Sequence, residues 1–398
     1  MTVVGIVAEY NPFHLGHLHQ FEEIRREFGK DTAIVILLAG SFVQRGEPAV
    51  LDKYSRAAAA VECGANLVLE LPFPWCCSSA EFYAQGAISL FQSLGIIDSL
   101  SFGSECGDIE ALQKASSRLT SPHFLLALRE RAKEDRRRGH ARLAESLYQE
   151  FYGEGELLTR PNNVLALEYL SAMSRSSVSF VPHTVQRSGD YHSGKGDFPS
   201  ASAIRKDLLS GSDLETEARI PPLARSVYAA RRDREAGYAQ LSHLSSAILS
   251  KFVLSPPSDP EEIQDCEGGL GERLLNVAGD AATVNELLDR ARTTKYTNAR
   301  IRRAAVHLYL ETPADAAKSV PPFTRLLACD SLGRELLHTL KKHSPLPIVT
   351  KSADHASLPP EAQAPYQRSH AADFMHLLAT DAPQNAIHPL RRSPHLKK

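Results

Sequence analysis

Short apolar runs alternate with segments of helical periodicity along the N-terminal part of the chain. The apolar runs occupy residues 3–8, 33–38, 66–71 and 99–103, and an amphipathic segment follows each of the first three. Short apolar strands that alternate with helices are typical of a parallel sheet covered on both faces. The pattern therefore predicts an α/β domain with a Rossmann-like parallel sheet, whose functional loops lie at the carboxyl ends of the strands.

The remainder of the chain has a different pattern. Residues 121–150 are helical and heavily charged, which indicates an insertion or a lid-like hairpin, and a further strand is predicted at 178–181. Helices predominate after a boundary near residue 215, and the last eighty residues mix short helices with possible strands in a packing that the sequence leaves open. We predict an N-terminal α/β domain over 1–215 and a mainly α-helical C-terminal region over 216–398.

Composition narrows the class of protein without fixing it. The chain has 398 residues, more than one hydrophobic core usually serves, so two or three domains are expected. Its hydrophobic share of 43% and charged share of 23% are ordinary for a globular protein. The formal net charge of −2 excludes a global basic field, so any RNA-binding surface must be a local patch.

No feature of the sequence indicates export, membrane insertion or a resident metal. Residues 1–8 lack a basic leader and a cleavage site, and no run reaches the roughly 18 apolar residues of a membrane helix. The six cysteines are scattered without metal-ligand spacing and are expected to be free thiols. We therefore predict a cytoplasmic protein with no membrane contact and no protein-bound metal site, of undetermined oligomeric state.

Two histidines follow the first predicted strand. His14 and His17 lie three residues apart at the start of a predicted helix, so both imidazoles share one face of its first turn. Unpaired amides at a helix N-terminus favour phosphate, and Gly16 lets a phosphate approach the backbone. Paired imidazoles there can stabilise the charge that develops when the α-phosphate of ATP is attacked and pyrophosphate leaves. We predict that His14 and His17 are catalytic.

A second motif lies at the far end of the same predicted domain. Residues 200–205 read Ser-Ala-Ser-Ala-Ile-Arg and resemble the S-x-x-x-I-R segment that closes the active site of H-x-G-H nucleotidylyltransferases. Serine and alanine at a helix start also make an ordinary cap, so this motif alone carries little weight. Its occurrence together with His14 and His17 predicts a nucleotidylyltransferase-type sheet of the HUP class.

Several loops together resemble a single bacterial family. They are residues 9–17 (EYNPFHLGH), 40–49 (GSFVQRGEPA), 69–72 (LELP), 102–105 (FGSE) and 161–169 (PNNVLALEY). The family is the tRNA(Met) cytidine acetate ligases. The likeness is dense to Arg205, continues in the basic segment 295–303, and is fainter at 326–330 and 371–375. One position departs from the family's pattern, because Leu15 stands where the family usually has Asn, which removes one possible polar contact.

The resemblance implies a two-step activity. Acetate attacks the α-phosphate of ATP to give acetyl-adenylate and pyrophosphate, with Mg²⁺ neutralising the phosphates. The acetyl group then passes to the wobble cytidine of elongator tRNA(Met), and AMP leaves. The resemblance also implies an ATP site made by Val7, Ala8, Glu9, Tyr10, Asn11, Pro12, Phe13, His14, Leu15, Gly16, His17, Leu18, His19, Gln20, Gly103, Asn162 and Arg187.

Two basic segments are candidates for contact with tRNA. The first candidate site lies in 295–303 and combines positive charge with a tyrosine that can stack on a base. Its predicted contact residues are Lys295, Tyr296, Arg300, Arg302 and Arg303. The second segment, 129–142, is interpreted either as a tRNA contact or as an exposed helix face, the usual role of a charge run.

Two other functions use the same residues. A plain nucleotidylyltransferase would join AMP to a small phosphorylated metabolite with the same two motifs, but it would not need the long C-terminal region. A non-catalytic RNA-binding or scaffold protein could retain a nucleotide pocket. The intact histidines weigh against this hypothesis, whereas Leu15 keeps it open.

Overall fold

The computed structural model describes residues 1–135, 139–187, 200–213, 217–231 and 234–398. Its strands are β1 (Val3–Ala8), β2 (Ala33–Ala39), β3 (Leu67–Leu71), β4 (Ser99–Ser104), β5 (Val181–Gln186), β6 (Thr324–Cys329), β7 (Ile348–Val349) and β8 (His395–Leu396). Its helices are α1 (Leu15–Phe28), α2 (Lys53–Glu62), α3 (Ala80–Leu94), α4 (Ile109–Leu119), α5 (Pro122–Glu134), α6 (His140–Tyr152), α7 (Pro161–Ser176), α8 (Ala201–Leu209), α9 (Pro222–Ala230), α10 (Ser245–Leu254), α11 (Leu270–Ala278), α12 (Val284–Ala291), α13 (Asn298–Tyr309), α14 (Ser331–His343) and α15 (Pro360–Leu378).

The part of the chain that the structure describes forms one eight-stranded sheet. The strand order is β5-β4-β1-β2-β3-β6-β7, and β8 pairs with β6. The pairs β1–β2, β1–β4, β2–β3 and β4–β5 are parallel. This is the strand order of a Rossmann sheet, which reverses between β1 and β4 and leaves a ligand crevice at their carboxyl ends. The predicted Rossmann-like α/β fold is confirmed.

The central strand β2 shows why this sheet is covered on both faces. All of its residues are buried, and none is polar. Val35 and Leu37 belong to one hydrophobic cluster, whereas Ile36 and Leu38 belong to a second cluster on the opposite face. Successive side chains of a strand point to opposite faces, so a strand without polar residues needs helices on both sides.

The C-terminal region is mainly helical, as predicted, but it also completes the sheet. β6 is buried at every position and pairs antiparallel with β3, and β7 and β8 then pair with β6. The final eighty residues therefore extend the sheet of the N-terminal domain. The predicted boundary lies at 214–216, outside the described residues, and the division into 1–215 and 216–398 stays a prediction.

A buried group of four charged residues holds the two regions together. Lys53 at the start of α2 lies 2.5 Å from Glu70 Oε1 and 2.7 Å from Asp373 Oδ2. Arg325 of β6 lies 3.2 Å from the same carboxylate of Asp373, and Ser41 donates a hydrogen bond to it over 2.7 Å. Two positive and two negative side chains balance, which is the condition under which buried charges are tolerated.

Helices α5 and α6 occupy the segment predicted as a charged insertion. Phe124, Leu128, Leu143 and Leu147 are buried, so each helix packs an apolar face while its charged residues stay outside. The three arginines at 136–138 in the second basic segment lie outside the described residues. No described helix has the length and apolar character required to cross a membrane.

The strand predicted at 178–181 is displaced along the chain, since β5 begins only at Val181. Ser177 ends α7 in the left-handed conformation with φ of 49°, and Phe180 is buried before pairing with β4 begins. The apolar residues of 178–181 thus belong mainly to the connection between α7 and β5. β5 is only partly buried, as expected of an edge strand, and its mixed polar and apolar sequence gives no clear strand pattern.

Candidate active site

A cavity of about 380 Å³ opens where the strand order reverses. The end of β1 and the residue after it form one wall with Val7, Ala8 and Glu9, and the end of β4 forms another wall with Phe102 and Gly103. This volume lies in the range of small-molecule sites, roughly 300–1,000 Å³. The position is the one at which Rossmann-like sheets bind nucleotides.

His14 and His17 stack against each other at the edge of this cavity. Their ring centroids lie 3.8 Å apart with an interplanar angle of 28°, and both residues line the cavity. His14 is the N-cap of α1 and accepts a hydrogen bond from the Gly16 amide at Nδ1 over 3.0 Å. His17 Nδ1 accepts from the His14 amide over 3.2 Å. Each imidazole therefore accepts a hydrogen bond from a backbone amide at the start of α1, in a reciprocal capping arrangement.

These hydrogen bonds fix the tautomer of both rings. A nitrogen that accepts from a backbone amide carries no proton, so each neutral ring holds its proton on Nε2. Burial, together with smaller contributions from the positive charges of Arg187 and Arg205, lowers the pKa of His14 to about 3. Burial likewise holds the pKa of His17 well below its usual value, with further contributions from His14 and Arg187. Both rings are neutral Nε2–H donors at pH 7.

The buried Nε2 atom of His14 has no hydrogen-bond partner among the described residues. A buried donor without a partner costs on the order of 1–3 kcal/mol, so such an atom in a cavity wall indicates a ligand oxygen. The first amides of α1 lie beside it and carry the positive end of the helix dipole. The amides of Leu15, Gly16 and His17 are bonded within the protein, so the site offers one phosphate two imidazole donors and the positive end of the helix dipole.

Glu105, which follows β4, organises the opposite wall. Its carboxylate accepts hydrogen bonds from the Asn162 side chain over 2.7 Å and from the Asn163 amide over 2.8 Å at the start of α7. Asn162 Oδ1 in turn accepts from Arg187 Nη1 over 3.1 Å. An added Cβ at Gly103 would lie 2.9 Å from Arg187 Cδ, so the absence of a side chain leaves room for this arginine. Gly103, Asn162 and Arg187, which the family resemblance places in an ATP site, all line the cavity.

The motif at 200–205 closes the cavity from a third side. Ser200 caps α8 by accepting from the Ala203 amide over 3.2 Å. Arg205 donates to the Asn11 carbonyl over 2.9 Å and to Ser202 Oγ over 3.1 Å. Ser200, Ser202 and Arg205 line the cavity beside the two histidines. The structure therefore brings the two sequence motifs together around one site.

The predicted ATP segment 7–20 divides into lining and supporting residues. Its lining residues are Val7, Ala8, Glu9, Tyr10, Asn11, His14, His17 and Gln20. Its remaining residues do not line the cavity, and these are Pro12, Phe13, Leu15, Gly16, Leu18 and His19. Leu15 directs its amide to the Arg219 carbonyl over 2.9 Å. Because Leu15 lies outside the cavity, its departure from the family's usual Asn removes no side chain from the site wall.

The loop after β2 also reaches the cavity, although the predicted site omits it. Val43, Gln44, Arg45 and Glu47 line the wall, and Glu9 Oε1 accepts from the Gln44 amide over 3.0 Å. The position of this loop at the carboxyl end of a strand that neighbours β1 was the available signal. Tyr83 and Tyr169 line the cavity as well, from helices whose apolar pattern gives no such signal.

The arginines of the first basic segment support this loop. Arg302 donates to the Arg45 carbonyl over 3.3 Å and lies 3.2 Å from the Glu47 carboxylate. Arg303 donates to the Gln44 carbonyl over 3.2 Å and pairs with Asp265 over 2.7 Å. Only 5% of Arg303 is exposed. The structure therefore corrects the prediction that Arg303 contacts tRNA, because its guanidinium is committed to a buried ion pair.

Tyr296 has a similar structural role. It is 9% exposed, its hydroxyl donates to the Gly268 carbonyl, and its ring lies under the charged groups of Lys295 and Arg300. Tyr296 is therefore not positioned to stack on a base, a second correction to the predicted contact set. Lys295 is exposed, and Arg300 and Arg302 are each partly accessible. Gly139 belongs to the second basic segment, and a Cβ atom added to it would lie 3.2 Å from the Lys295 carbonyl oxygen. The two basic segments are therefore neighbours.

A Rossmann-like sheet with two neutral histidines at the first helix N-terminus defines a nucleotidyl transferase. A family model described as HIGH Nucleotidyl Transferase matches residues 1–388. The tRNA(Met) cytidine acetate ligase of Thermoanaerobacter sp. (strain X514) is 34% identical over 365 residues, which cover 89% of this chain and 90% of that protein. The protein of the same name from Syntrophotalea carbinolica is 35% identical over 363 residues, which cover 88% and 85%.

The fold of a solved relative agrees with these sequence matches. The crystal structure of Thermotoga maritima TmcAL bound with alpha-thio ATP superimposes with a TM-score of 0.89 at 26% identity, and the match covers the whole of both chains. The chain belongs to the HIGH nucleotidyl transferases and, among them, to the tRNA(Met) cytidine acetate ligase family. The resemblance inferred from the loops is confirmed.

Proposed function

We propose that this protein forms acetyl-adenylate from acetate and ATP and transfers the acetyl group to the wobble cytidine of elongator tRNA(Met). The observation that carries the proposal is the pair of neutral imidazoles with Nε2–H donors at a helix N-terminus in the cavity. The names of the relatives supply the substrates, and the solved relative holds an ATP analogue. We place the reaction in the cytoplasm.

The first step is a displacement at the α-phosphate. An acetate oxygen attacks this phosphorus, the bond to the bridging oxygen breaks, and pyrophosphate leaves with the electron pair. Negative charge grows on the phosphoryl oxygens, where His14 and His17 donate hydrogen bonds without losing a proton. Arg187 and Arg205 line the same cavity and add positive charge near His14, whose pKa they lower. Donors arranged in advance around the developing charge are the largest source of catalysis in such sites.

The residues present fit a magnesium ion that enters with the nucleotide. Among the described residues no group of three or more His, Cys, Asp or Glu side chains is arranged to hold a metal. Glu9 nevertheless supplies a carboxylate in the cavity wall. Mg²⁺ commonly takes one or two carboxylates and completes its shell with phosphate oxygens and water. When bound, it would supply charge neutralisation to the triphosphate.

The tRNA approaches along the accessible part of the two adjoining basic segments. Lys295, Arg300 and Arg302 provide positive charge near the active-site loop, and Gly139 brings the second segment beside Lys295. An anticodon base is unpaired in a single-stranded loop, so it can be flipped out at modest cost. This surface gives a reason for the long C-terminal region, which the alternative of a plain nucleotidylyltransferase does not need.

One assay with several substrates tests the proposal. Acetate-dependent exchange of labelled pyrophosphate into ATP measures the first step, and mass spectrometry of nucleosides from tRNA(Met) measures acetylcytidine. We expect both signals, with no exchange when acetate is omitted. Turnover with a phosphorylated metabolite in place of acetate would favour the plain nucleotidylyltransferase. ATP binding without any turnover would favour the scaffold.

A further inference from the structure

A second cavity of about 450 Å³ adjoins the first one. Glu47 and Arg205 line both cavities, so the two spaces meet at these side chains. The second cavity lies between the active-site loop, α8 and the helical C-terminal region. It therefore connects the nucleotide site with the part of the protein that carries the accessible basic residues.

Two helices each direct one face into this second cavity. On α12 the lining residues Asn285, Leu288 and Asp289 lie three and four positions apart, as do Asn298, Ile301 and Arg302 on α13. This spacing places each set on one side of its helix. The α12 face combines two polar side chains with a leucine, and the α13 face combines two polar side chains with an isoleucine. Such walls suit a flat heterocycle that presents polar edges and two apolar faces.

The polar groups match the edge of a cytosine. Its O2 and N3 atoms accept hydrogen bonds, whereas its exocyclic N4 donates. Asn285, Asn298 and Arg292 can supply donors, and a carboxylate is the side chain that accepts from cytosine N4. Glu47 is such a carboxylate and stands at the junction with the nucleotide cavity, held there by Arg302 over 3.2 Å. A base bound with N4 toward Glu47 presents that amine to the reacting carbonyl.

We infer that the second cavity receives the flipped-out acceptor cytosine and that Glu47 accepts the proton of its exocyclic amine. This inference rests on the proposed function. N4 attacks the acetyl carbonyl carbon of acetyl-adenylate, and the new N–C bond forms as the C–O bond to the α-phosphate breaks. AMP leaves with that electron pair, and N4 passes one proton to the Glu47 carboxylate. No further reactant is required.

Filling the cavity separates the two half-reactions. Asn285→Trp places a large ring in the cavity from an exposed position on α12, and Arg290→Trp places the same ring on the same helix at an exposed position that does not line it. We expect acetate-dependent pyrophosphate exchange within about twofold of the wild type in both variants. Acetyl transfer to a tRNA(Met) transcript is expected to fall at least about tenfold in Asn285→Trp and to stay near wild type in Arg290→Trp.

The outcomes distinguish this inference from the proposed function. Transfer at the wild-type rate in Asn285→Trp overturns the cavity assignment, and so does a parallel loss of exchange, which would place the residue in the nucleotide site. A wild-type protein that neither exchanges nor transfers overturns the proposed function instead.

The role of Glu47 is tested with acetyl-adenylate supplied directly, which bypasses the first step. We expect Glu47→Gln to lower the rate of transfer to tRNA by about 10²-fold with a smaller change in the KM for tRNA, as for loss of a proton acceptor. Transfer by Glu47→Gln at the wild-type rate removes Glu47 from the reaction.

Discussion

The backbone of Gly46 lies against the backbone of Arg303, and a side chain at Gly46 would collide with it. Gly46 also has a φ of 76°, in the left-handed region. We expect Gly46→Ala to be more destabilising than Gly153→Ala, because Gly153 has a similar φ of 70° with no heavy atom near its Cβ position. Gly153→Ala measures the cost of placing a side chain in the left-handed conformation, about 1 kcal/mol. The further decrease in the urea midpoint of Gly46→Ala measures the collision with the backbone of Arg303. Equal midpoints would show that the loop and α13 are not in close contact.

Arg303 and Lys295 are expected to respond differently to the same substitution. Arg303→Met leaves the Asp265 carboxylate buried without its main partner, so we expect a loss of about 3–5 kcal/mol in the free energy of unfolding. Lys295→Met is expected to change stability by less than about 0.5 kcal/mol. It should instead reduce by about one the slope of the logarithm of the tRNA binding constant against the logarithm of the salt concentration, because one phosphate contact is lost. A stable Arg303→Met variant with weakened tRNA binding would restore the original interpretation of this arginine.

Removing His17 should strongly reduce the activation step while leaving the fold intact. His17→Ala deletes one of two donors to the developing phosphoryl charge, so pyrophosphate exchange is expected to fall by about 10²–10³-fold. His19→Ala is the matched control, because His19 lies on the same helix and does not line the cavity. Circular dichroism and urea unfolding check the fold of both variants. Near-normal exchange in His17→Ala would refute the catalytic assignment.

Buried neutral histidines make stability sensitive to acid. Burial lowers the pKa of His14 to about 3 and that of His307 and His376 to about 4, against about 6.5 in an unfolded chain. The unfolded state alone takes up these protons as the pH falls from 6.5 toward 4, so stability decreases over that interval. Each such histidine should lower the free energy of unfolding by roughly 2 kcal/mol at pH 5 relative to pH 8.

Urea unfolding at a series of pH values measures this slope. His307→Gln should reduce the loss of stability between pH 6.5 and pH 5, whereas His343→Gln at an exposed position of α14 should leave it unchanged. Identical slopes for His307→Gln and the wild type would mean that His307 is charged in the folded protein.

The sequence predicts the sheet best where local pattern determines the structure. β1 begins and ends at the predicted residues 3 and 8, because an apolar strand is recognisable from its own residues. The histidine pair is similarly local, since three residues on one helical turn must share a face. The tautomers of its rings follow from the same turn, because the Gly16 and His14 amides supply the hydrogen bonds. Arg187 and Arg205, which add positive charge beside it, come from distant segments.

The remaining features depend on pairing across long separations. Arg303 is surrounded in sequence by other basic residues, and only the fold reveals that Asp265 neutralises it. Glu105 orders Asn162 through a contact between two loops, which no periodicity encodes. β6 resembles any buried apolar segment in the sequence, and nothing local determines that it pairs antiparallel with β3. The roles assigned to the cavity residues stay predictions until the variants are measured.

The pairing of β3 with β6 also constrains how the chain is made. During synthesis, the first five strands leave the ribosome long before Thr324, and until then the outer edge of β3 has unpaired amides and carbonyls. An unpaired apolar edge recruits other chains. The nascent protein must therefore shield this edge while more than two hundred residues separating β3 from β6 are translated. We expect chaperone dependence to be greatest within that interval and to end as β6 docks.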